Sequence, residues 1–221
     1  MKYILIIISL SHTMMHAQIN TTSVHTYLAL GDSYTIGESV AEEDRFPIQL
    51  VRRLNEAGYS ISNPKIIAKT GWTTDELMAA IVQEHIEDQT FDMVSLLIGV
   101  NNQYRGRDVE VYRREFTELV SRAVKFARNN VKNVFVVSIP DWGMTPFGKK
   151  SPKQNISQNI NLFNKVNKEV CIKMGILYID ITPDSRLADK DPDLIANDGL
   201  HPSAKMYANW VDHIIRELPK K

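Results

Sequence analysis

The stretch Met93-Val94-Ser95-Leu96-Leu97-Ile98 decides the fold class of this chain. Its apolar residues follow one another without the alternation of a half-exposed strand, so both faces of the strand are expected to be buried. This pattern is typical of a parallel sheet that helices cover on both sides. Similar short runs, rich in β-branched residues, lie before and after it. The predicted strands are Thr26–Leu30, Lys65–Ala68, Met93–Ile98, Asn133–Ile139 and Ile176–Ile181.

Amphipathic segments alternate with these strands. Phe46–Ala57 carries its apolar residues along one side of a helix. Thr73 and Glu76 have the capping-box spacing, which predicts that a helix begins there. Two longer amphipathic helices are predicted at Val109–Asn129 and Ile156–Met174.

A final helix is predicted to run to about Leu218, with Pro202 in its first turn. Proline suits that position because the first turn leaves its N–H groups unpaired. The alternation of strands and helices predicts an α/β fold, namely a three-layer α/β/α sandwich around a five-stranded, mostly parallel sheet. Right-handed crossovers are expected between the strands.

The first residues are typical of an export signal. Lys2 gives a short positive region, Tyr3–Leu10 an apolar region, and Ala17 a small residue at the cleavage point. This apolar run is far shorter than the roughly 20 residues that cross a bilayer, so no stable membrane insertion is expected. We therefore predict a signal peptide at residues 1–17, a single domain at residues 18–221 and an exported protein, either periplasmic or secreted. A disordered segment or a core strand at the N-terminus is the alternative.

Composition argues against several classes of partner. Lys and Arg (26 together) balance Asp and Glu (26 together), so the charge gives no reason to expect nucleic acid or an anionic membrane surface as a partner.

Cys171 is the single cysteine, so no intramolecular disulfide can form. We expect it to be a small buried hydrophobe.

Polar or glycine-rich segments follow every predicted strand. They are Ser33, Gly71, Asn101, the loop Asp141–Phe147 and the segment Asp198–His201. In an open parallel sheet, ligands bind beyond the carboxyl ends of the strands. All these groups are therefore expected at one edge of the sheet, where they can form a single site.

Three of these residues have the chemistry of a serine esterase. The hydroxyl of Ser33 needs a base to take its proton, and His201 offers an imidazole, the side chain best suited to that role near neutral pH. The carboxylate of Asp198, three residues earlier, can fix the imidazole tautomer. Alternatives remain open at this point, because Ser33 could instead be a helix N-cap and Asp198 an Asx turn in a surface loop. The other histidines are expected to be ordinary surface or partly buried residues: His12, His16, His25, His85 and His213.

An ester hydrolase also needs donors for the oxyanion of its tetrahedral intermediate. Gly71 can offer a backbone N–H, and Asn101 can offer its side-chain amide, although a turn glycine and a turn asparagine are the simpler readings of each residue alone. The surroundings of Ser33 match neither G-x-S-x-G nor the phosphate-binding G-x-x-x-x-G-K-[ST] motif. G-x-G-x-x-G is absent as well, so a dinucleotide site is not expected.

Taken together, these segments resemble the four blocks of the SGNH (GDSL-type) hydrolase family, whose members include lysophospholipase-like and acetylesterase-like esterases. The matching segments occur in the family order: Gly31-Asp32-Ser33, Gly71, Gly99-Val100-Asn101 and Asp198-Gly199-Leu200-His201-Pro202. The resemblance implies a flavodoxin-like fold, Ser33 as nucleophile, His201 as base and Asp198 as its orienting partner. It also implies an oxyanion hole from the N–H groups of Ser33 and Gly71 and the side chain of Asn101. The family uses no metal or organic cofactor.

One residue departs from the family pattern. The third block usually reads Gly-x-Asn-Asp, and here Asn102 takes the place of the final Asp. The amide has the same size but lacks the charge.

Aromatic residues near the strand ends are candidates for the substrate pocket, where they can wall an acyl chain or stack on a sugar. Alternatively, they simply cover loop edges. These residues are Tyr34, Trp72, Tyr104, Trp142 and Phe147.

The sequence thus predicts an exported serine ester hydrolase that acts on short acyl or acetyl esters, of glycans or lysophospholipids, through an acyl-enzyme. An O-acyltransferase that uses the same serine is the alternative. A non-catalytic carbohydrate-binding relative is a weaker one.

Overall fold

The computed structural model describes residues 24–219 and shows a five-stranded sheet. The strand order is β2-β1-β3-β4-β5, and every neighbouring pair is parallel. The predicted fold class is confirmed. The strands are β1 (Tyr27–Gly31), β2 (Lys65–Ala68), β3 (Met93–Leu97), β4 (Val134–Val137) and β5 (Leu177–Ile179).

Helices cover both faces of the sheet. The second and ninth pack together on one face, and the third, fifth and seventh pack on the other. The α-helices are α1 (Ser33–Ile36), α2 (Phe46–Glu56), α3 (Thr74–Gln83), α4 (Val100–Tyr104), α5 (Val109–Phe126), α6 (Pro146–Lys149), α7 (Ile156–Met174), α8 (Thr182–Ser185) and α9 (Ala204–Glu217).

The core lies where β1 crosses the middle of the sheet. Leu28, Ala29 and Leu30 are fully buried, so both faces of this strand are covered, as the apolar pattern indicates. Trp210 of α9 is also fully buried. Cys171 lies in this interior, where burial raises the pKa of its thiol to about 12.

Some element ends differ from the sequence prediction. The helix predicted from Val109 ends at Phe126, because Arg128 and Asn129 adopt φ of 56° and 58°, outside the helical region. The final helix begins at Ala204, and the Ser203 side chain caps it by accepting a hydrogen bond from the N–H of Met206. Pro202 therefore precedes the helix and does not lie in its first turn.

The predicted signal peptide at residues 1–17, together with His12 and His16, lies outside the described residues. Between Val24 and Pro219, no helix has the length and apolar character that crossing a bilayer requires.

Candidate active site

Ser33 lies where β1 ends at the middle of the sheet. Asp32 is the N-cap of α1 and accepts a hydrogen bond from the N–H of Tyr34 at 3.1 Å, so Ser33 is the first residue of the helix, not its cap. The N–H of Ser33 has no acceptor within the helix, because the first turn leaves its donors unpaired. Gly31 is required here, since a Cβ would collide with Thr35 Oγ1 and the Leu97 carbonyl.

The carboxyl group of Asp32 lies directly behind Ser33 and is fully buried. Its Oδ2 has no hydrogen-bond partner in the described part of the chain. Desolvation outweighs the hydrogen bond from Tyr34 and raises the pKa of Asp32 to about 7.

His201 and Asp198 form a close pair in the segment that precedes α9. His201 Nδ1 lies 2.6 Å from Asp198 Oδ2, and the other carboxylate oxygen accepts hydrogen bonds from the N–H groups of Leu200 (2.8 Å) and His201 (2.9 Å). The His201 side chain is 10% exposed and packs edge-on against the ring of Tyr34, with 5.6 Å between centroids. The imidazole is therefore held from two sides.

Hydrogen bonds keep Asp198 ionised. Partial burial acts to raise its pKa, but the hydrogen bonds from His201, Ser39 and Leu200 outweigh burial and lower the pKa to about 2. An ionised carboxylate only accepts hydrogen bonds, so the proton between the two residues belongs to Nδ1 of His201. The second ring nitrogen, Nε2, is then free to accept a proton.

Gly71 and Asn101 stand beside Ser33, after strands β2 and β3. Gly71 has φ of 88°, a conformation that favours glycine, and its N–H makes no hydrogen bond among the described residues. Asn101 Nδ2 donates one hydrogen bond to the carbonyl of Trp72 at 3.0 Å, which leaves its second hydrogen available. Both groups are therefore free to donate to an oxyanion.

Asn102, the departure from the family pattern, is buried, and both polar atoms of its amide are hydrogen-bonded. Its Oδ1 accepts from the N–H of Thr74 at 3.1 Å, and its Nδ2 donates to Thr74 Oγ1 at 2.7 Å. Thr74 in turn donates to Glu115 on α5. The amide thus ties α4 to the start of α3.

A cavity of about 240 Å³ joins these groups. Ser33, Gly71, Asn101 and His201 line it, whereas Asp198 stands behind the His201 ring. Ser33 Oγ makes no hydrogen bond within residues 24–219; hydrogen bonds of this kind often tighten only when substrate is present. The remaining lining is mostly apolar and includes Tyr34, Thr70, Val100, Tyr104, Trp142, Phe147 and Leu200.

The structure brings four of the five predicted pocket aromatics to this cavity. The edge of Trp142 meets Tyr104 at 5.4 Å between centroids, and Phe147 lies 6.1 Å from Trp142. Tyr104 and Phe147 are partly exposed at the mouth, while Tyr34 and Trp142 are buried. Trp72 is the exception and requires a correction. The chain turns at Gly71, and the ring of Trp72 packs against the hydrophobic core without lining the cavity.

The remaining described histidines lie away from the cavity. His25 is 3.8 Å from Asp92, at the amino end of the sheet, and His213 on α9 is 2.9 Å from Asp184. His85 follows α3 in a turn. Among the residues from 24 to 219, no group of three or more His, Cys, Asp or Glu side chains is placed to hold a metal ion.

Sequence reasoning missed three residues that support the site. Gln103 accepts a hydrogen bond from the indole N–H of Trp142 at 2.8 Å, and Arg105 donates to the carbonyl of Gly71 at 2.6 Å. Ser39 donates to Asp198 Oδ2 at 2.7 Å. Gln103 and Arg105 lie within four residues of the Gly99-Val100-Asn101 block, so their place in the sequence indicated that they are near the site. Ser39 carried none, because its partner lies 159 residues away.

The sequence profile of the GDSL-like lipase/acylhydrolase family matches residues 29–208, which is most of the chain. No curated protein matches the chain by sequence.

Several solved structures share the fold. A lipase/acylhydrolase from Enterococcus faecalis is 22% identical, with a TM-score of 0.66 over 90% of this chain and 100% of that one. The acetylxylan esterase Axe2 from Geobacillus stearothermophilus is 18% identical, with a TM-score of 0.65 over 89% and 95%. The psychrotrophic esterase EstA from Pseudoalteromonas sp. is also 18% identical, with a TM-score of 0.66 over 87% and 96%.

Proposed function

Since the chain belongs to the GDSL-like lipase/acylhydrolase family and is a carboxylic ester hydrolase, we propose that it works through an acyl-enzyme on Ser33. His201 is the general base, and Asp198 orients its ring. The substrates are short acyl or acetyl esters, carried by a glycan or a lysophospholipid.

One observation carries the proposal. Ser33, Gly71, Asn101 and His201 line one cavity, although they come from four separate segments of the chain. The 2.6 Å contact with Asp198 is made by Nδ1 of His201, which carries the ring proton. Nε2, on the other side of the ring, is left to accept a proton. The residues proposed as nucleophile, base and oxyanion donors therefore line the same cavity.

The first half of the reaction forms the acyl-enzyme. Ser33 Oγ attacks the ester carbonyl carbon while its proton passes to Nε2 of His201. The N–H groups of Ser33 and Gly71 and the amide of Asn101 stabilise the resulting oxyanion. The tetrahedral intermediate then collapses, the C–O bond to the alcohol breaks, and His201 returns the proton to the departing oxygen.

The second half releases the acid. Water enters beside His201, gives its proton to Nε2 and attacks the acyl carbon on Ser33. The same donors stabilise the second oxyanion. Collapse of this intermediate breaks the bond to Ser33 Oγ, which recovers its proton from His201, and the carboxylic acid leaves.

Cavity size supports short acyl groups. A volume of about 240 Å³ is below the roughly 300–1,000 Å³ of sites that bury drug-sized ligands. The aromatic and aliphatic lining suits the hydrocarbon of an acyl group. Tyr104 and Phe147, which are 41% and 42% exposed at the mouth, can contact the alcohol part of the ester.

Export to the periplasm or the medium remains part of the proposal. It rests on the pattern of Lys2, Tyr3–Leu10 and Ala17 in the sequence. Detection of a mature N-terminus after residue 17 in the exported fraction would support it, and an intact Met1 in the cytosol would contradict it.

The chain-length dependence of hydrolysis tests the proposed function. Purified mature protein and its Ser33→Ala variant are assayed on p-nitrophenyl acetate, butyrate, octanoate and palmitate. We expect the highest kcat/KM on acetate or butyrate and no turnover in the variant. Residual turnover in the variant would exclude Ser33 as nucleophile, and a preference for palmitate would exclude the short-acyl assignment. Predominant acyl transfer to an added alcohol would identify a transferase instead.

A further inference from the structure

Ser39 is bonded to the acid–base pair but belongs to none of the motifs that define the site. Its Oγ lies 2.7 Å from Asp198 Oδ2, the same oxygen that His201 Nδ1 approaches at 2.6 Å. Because the pKa of Asp198 is lowered to about 2, its carboxylate is ionised and the Ser39 hydroxyl donates. This oxygen therefore has two donors.

The backbone of Ser39 is held in an unfavourable conformation. Its φ of 66° lies in the left-handed region, which residues with a Cβ adopt reluctantly. Gly37, two residues earlier, has nearly the same φ (68°) but is a glycine. Backbone geometry alone would favour glycine at position 39 as well, so the hydroxyl is what distinguishes serine there.

The segment that carries Ser39 is anchored to the other parts of the site. It starts directly after α1, and the N–H of Glu38 donates to the carbonyl of Ser33 at 3.0 Å. The side chain of Glu38 accepts a hydrogen bond from Thr70, which lines the cavity next to Gly71. The segment that carries Ser39 is thus tied through Glu38 both to Ser33 in α1 and to Thr70, the neighbour of Gly71.

We propose that Ser39 is a positioning residue for the Asp198–His201 pair. With donors from Ser39 and His201 on Oδ2, and from two backbone N–H groups on Oδ1, every acceptor site of the carboxylate is occupied and its rotation is fixed. The proposal rests on the proposed function for its kinetic consequences, but its structural content concerns the pair alone.

The hydroxyl has two effects on His201. It holds Asp198 in line with Nδ1, which keeps Nε2 aimed into the cavity. It also shares the negative charge of Oδ2, so the carboxylate stabilises the imidazolium less than an unshared one would. Removal of the hydroxyl should therefore lower kcat and move the acid limb of the pH profile to higher pH.

The test compares Ser39→Gly with Ser39→Ala. Both variants lose the hydroxyl, but glycine accepts the positive φ and alanine does not. We expect kcat on p-nitrophenyl butyrate to fall about fivefold to tenfold in both, with KM within about twofold. The acid limb of kcat/KM should move up by about half a pH unit in both. Ser121→Ala, which removes an exposed hydroxyl bonded to Thr117 on α5, is the matched control and should leave all three quantities unchanged.

Proton NMR adds a readout that does not depend on turnover. The Nδ1 proton of His201 should give a resonance far downfield of the amides, absent in His201→Gln, and it should move further downfield in both Ser39 variants. A purely structural role would leave this resonance and the acid limb in place and would spare Ser39→Gly; that result would overturn the proposal. If the wild-type protein hydrolyses no ester, the proposed function fails, and the NMR shift alone decides the role of Ser39.

Discussion

The two edges of the sheet each carry a cavity and a His–Asp pair, yet they differ in what these groups can do. The cavity at the amino edge is the larger, about 430 Å³ against about 240 Å³ at the carboxyl edge. At the amino edge, His25 and Asp92 stand among mostly apolar neighbours. At the carboxyl edge, His201 lines its cavity together with Ser33, Gly71 and Asn101.

The carboxylates of Asp92 and Asp198 differ in the groups that they bind. Asp92 forms an ion pair with Arg128 at 2.9 Å and accepts a hydrogen bond from the N–H of Thr26 at 2.8 Å. His25 Nδ1 lies 3.8 Å from Asp92, which is too far for a hydrogen bond, and its side chain is 40% exposed. Asp198 is 2.6 Å from a ring that is 10% exposed. Asp92 thus ties the start of β1 to the start of β3, whereas Asp198 serves the histidine. Cavity size and a His–Asp pair do not by themselves make a site; the free groups around the histidine do.

The largest expected effect is the loss of the nucleophile. Ser33→Ala should lower kcat/KM on p-nitrophenyl butyrate by roughly 10⁴- to 10⁶-fold, because Ser33 is the proposed nucleophile and the variant lacks its hydroxyl. Ser62→Ala is the matched control, since Ser62 Oγ bonds to the His25 carbonyl at the amino edge, at 3.3 Å. Its activity should equal that of the wild type. Equal losses of activity in both variants would contradict a specific catalytic role for Ser33.

Substitution of each of the two histidines by glutamine should give a comparable difference in activity between the two edges. His201→Gln should lower kcat by roughly 10⁴-fold or more, because glutamine cannot take the proton of Ser33. His25→Gln should leave kcat within about twofold of the wild type. Steady-state assays at pH 8 measure both, and an active His201→Gln would remove this residue from the mechanism.

A smaller effect is expected from the oxyanion donor. Asn101→Ala should lower kcat by roughly 10²–10³-fold with little change in KM, since the donor acts mainly on the transition state. Asn133→Ala, at the rim of the amino-edge cavity, provides the comparison. An Asn101→Ala variant with unchanged kcat would show that the two N–H groups suffice.

The smallest effects concern stability, and they have opposite signs at the two edges. Burial raises the pKa of Asp32 to about 7, so the folded state binds more protons than the unfolded one between about pH 4 and 7. Stability falls as pH rises through this window. Asp32→Asn should therefore be more stable than the wild type above pH 7, by of the order of 3 kcal/mol, and should lose that advantage near pH 4.

Asp92 should behave in the opposite way. Partial burial acts to raise its pKa, but hydrogen bonds from Thr26 and the charges of Arg128 and His25 lower it overall. Its contribution to stability is present above the unfolded pKa and is lost as pH falls through the lower folded value. Asp92→Asn should thus melt below the wild type at pH 7, with a difference that shrinks in strong acid. Thermal melts of both variants from pH 3 to 8 measure the contrast, and parallel curves would contradict it.

Local patterns predicted most of the framework. The bounds of β2 (Lys65–Ala68) and α7 (Ile156–Met174) agree with the sequence prediction, because strong apolar periodicity coincided with clear breaks. The convergence of Ser33, Gly71 and Asn101 followed from the rule that parallel strands present their carboxyl ends at one edge.

What the sequence did not predict depends on contacts between distant residues. Trp72 packs against a hydrophobic core built from residues distant in the sequence, which no local pattern encodes. The bond from Ser39 to Asp198 joins two loops, and the bonds between Asn102 and Thr74 join α4 to α3. Such contacts become visible only when the chain is folded.

Active-site labelling tests whether Ser33 is the nucleophile. Attack of Ser33 Oγ on a fluorophosphonate forms a P–O bond and expels fluoride, which leaves a stable adduct that intact-mass and peptide mass spectrometry can locate. We predict one adduct per chain, on the peptide that contains Ser33, with none in Ser33→Ala and much slower labelling in His201→Gln. An adduct on another residue, or no adduct on the folded wild-type protein, would contradict it.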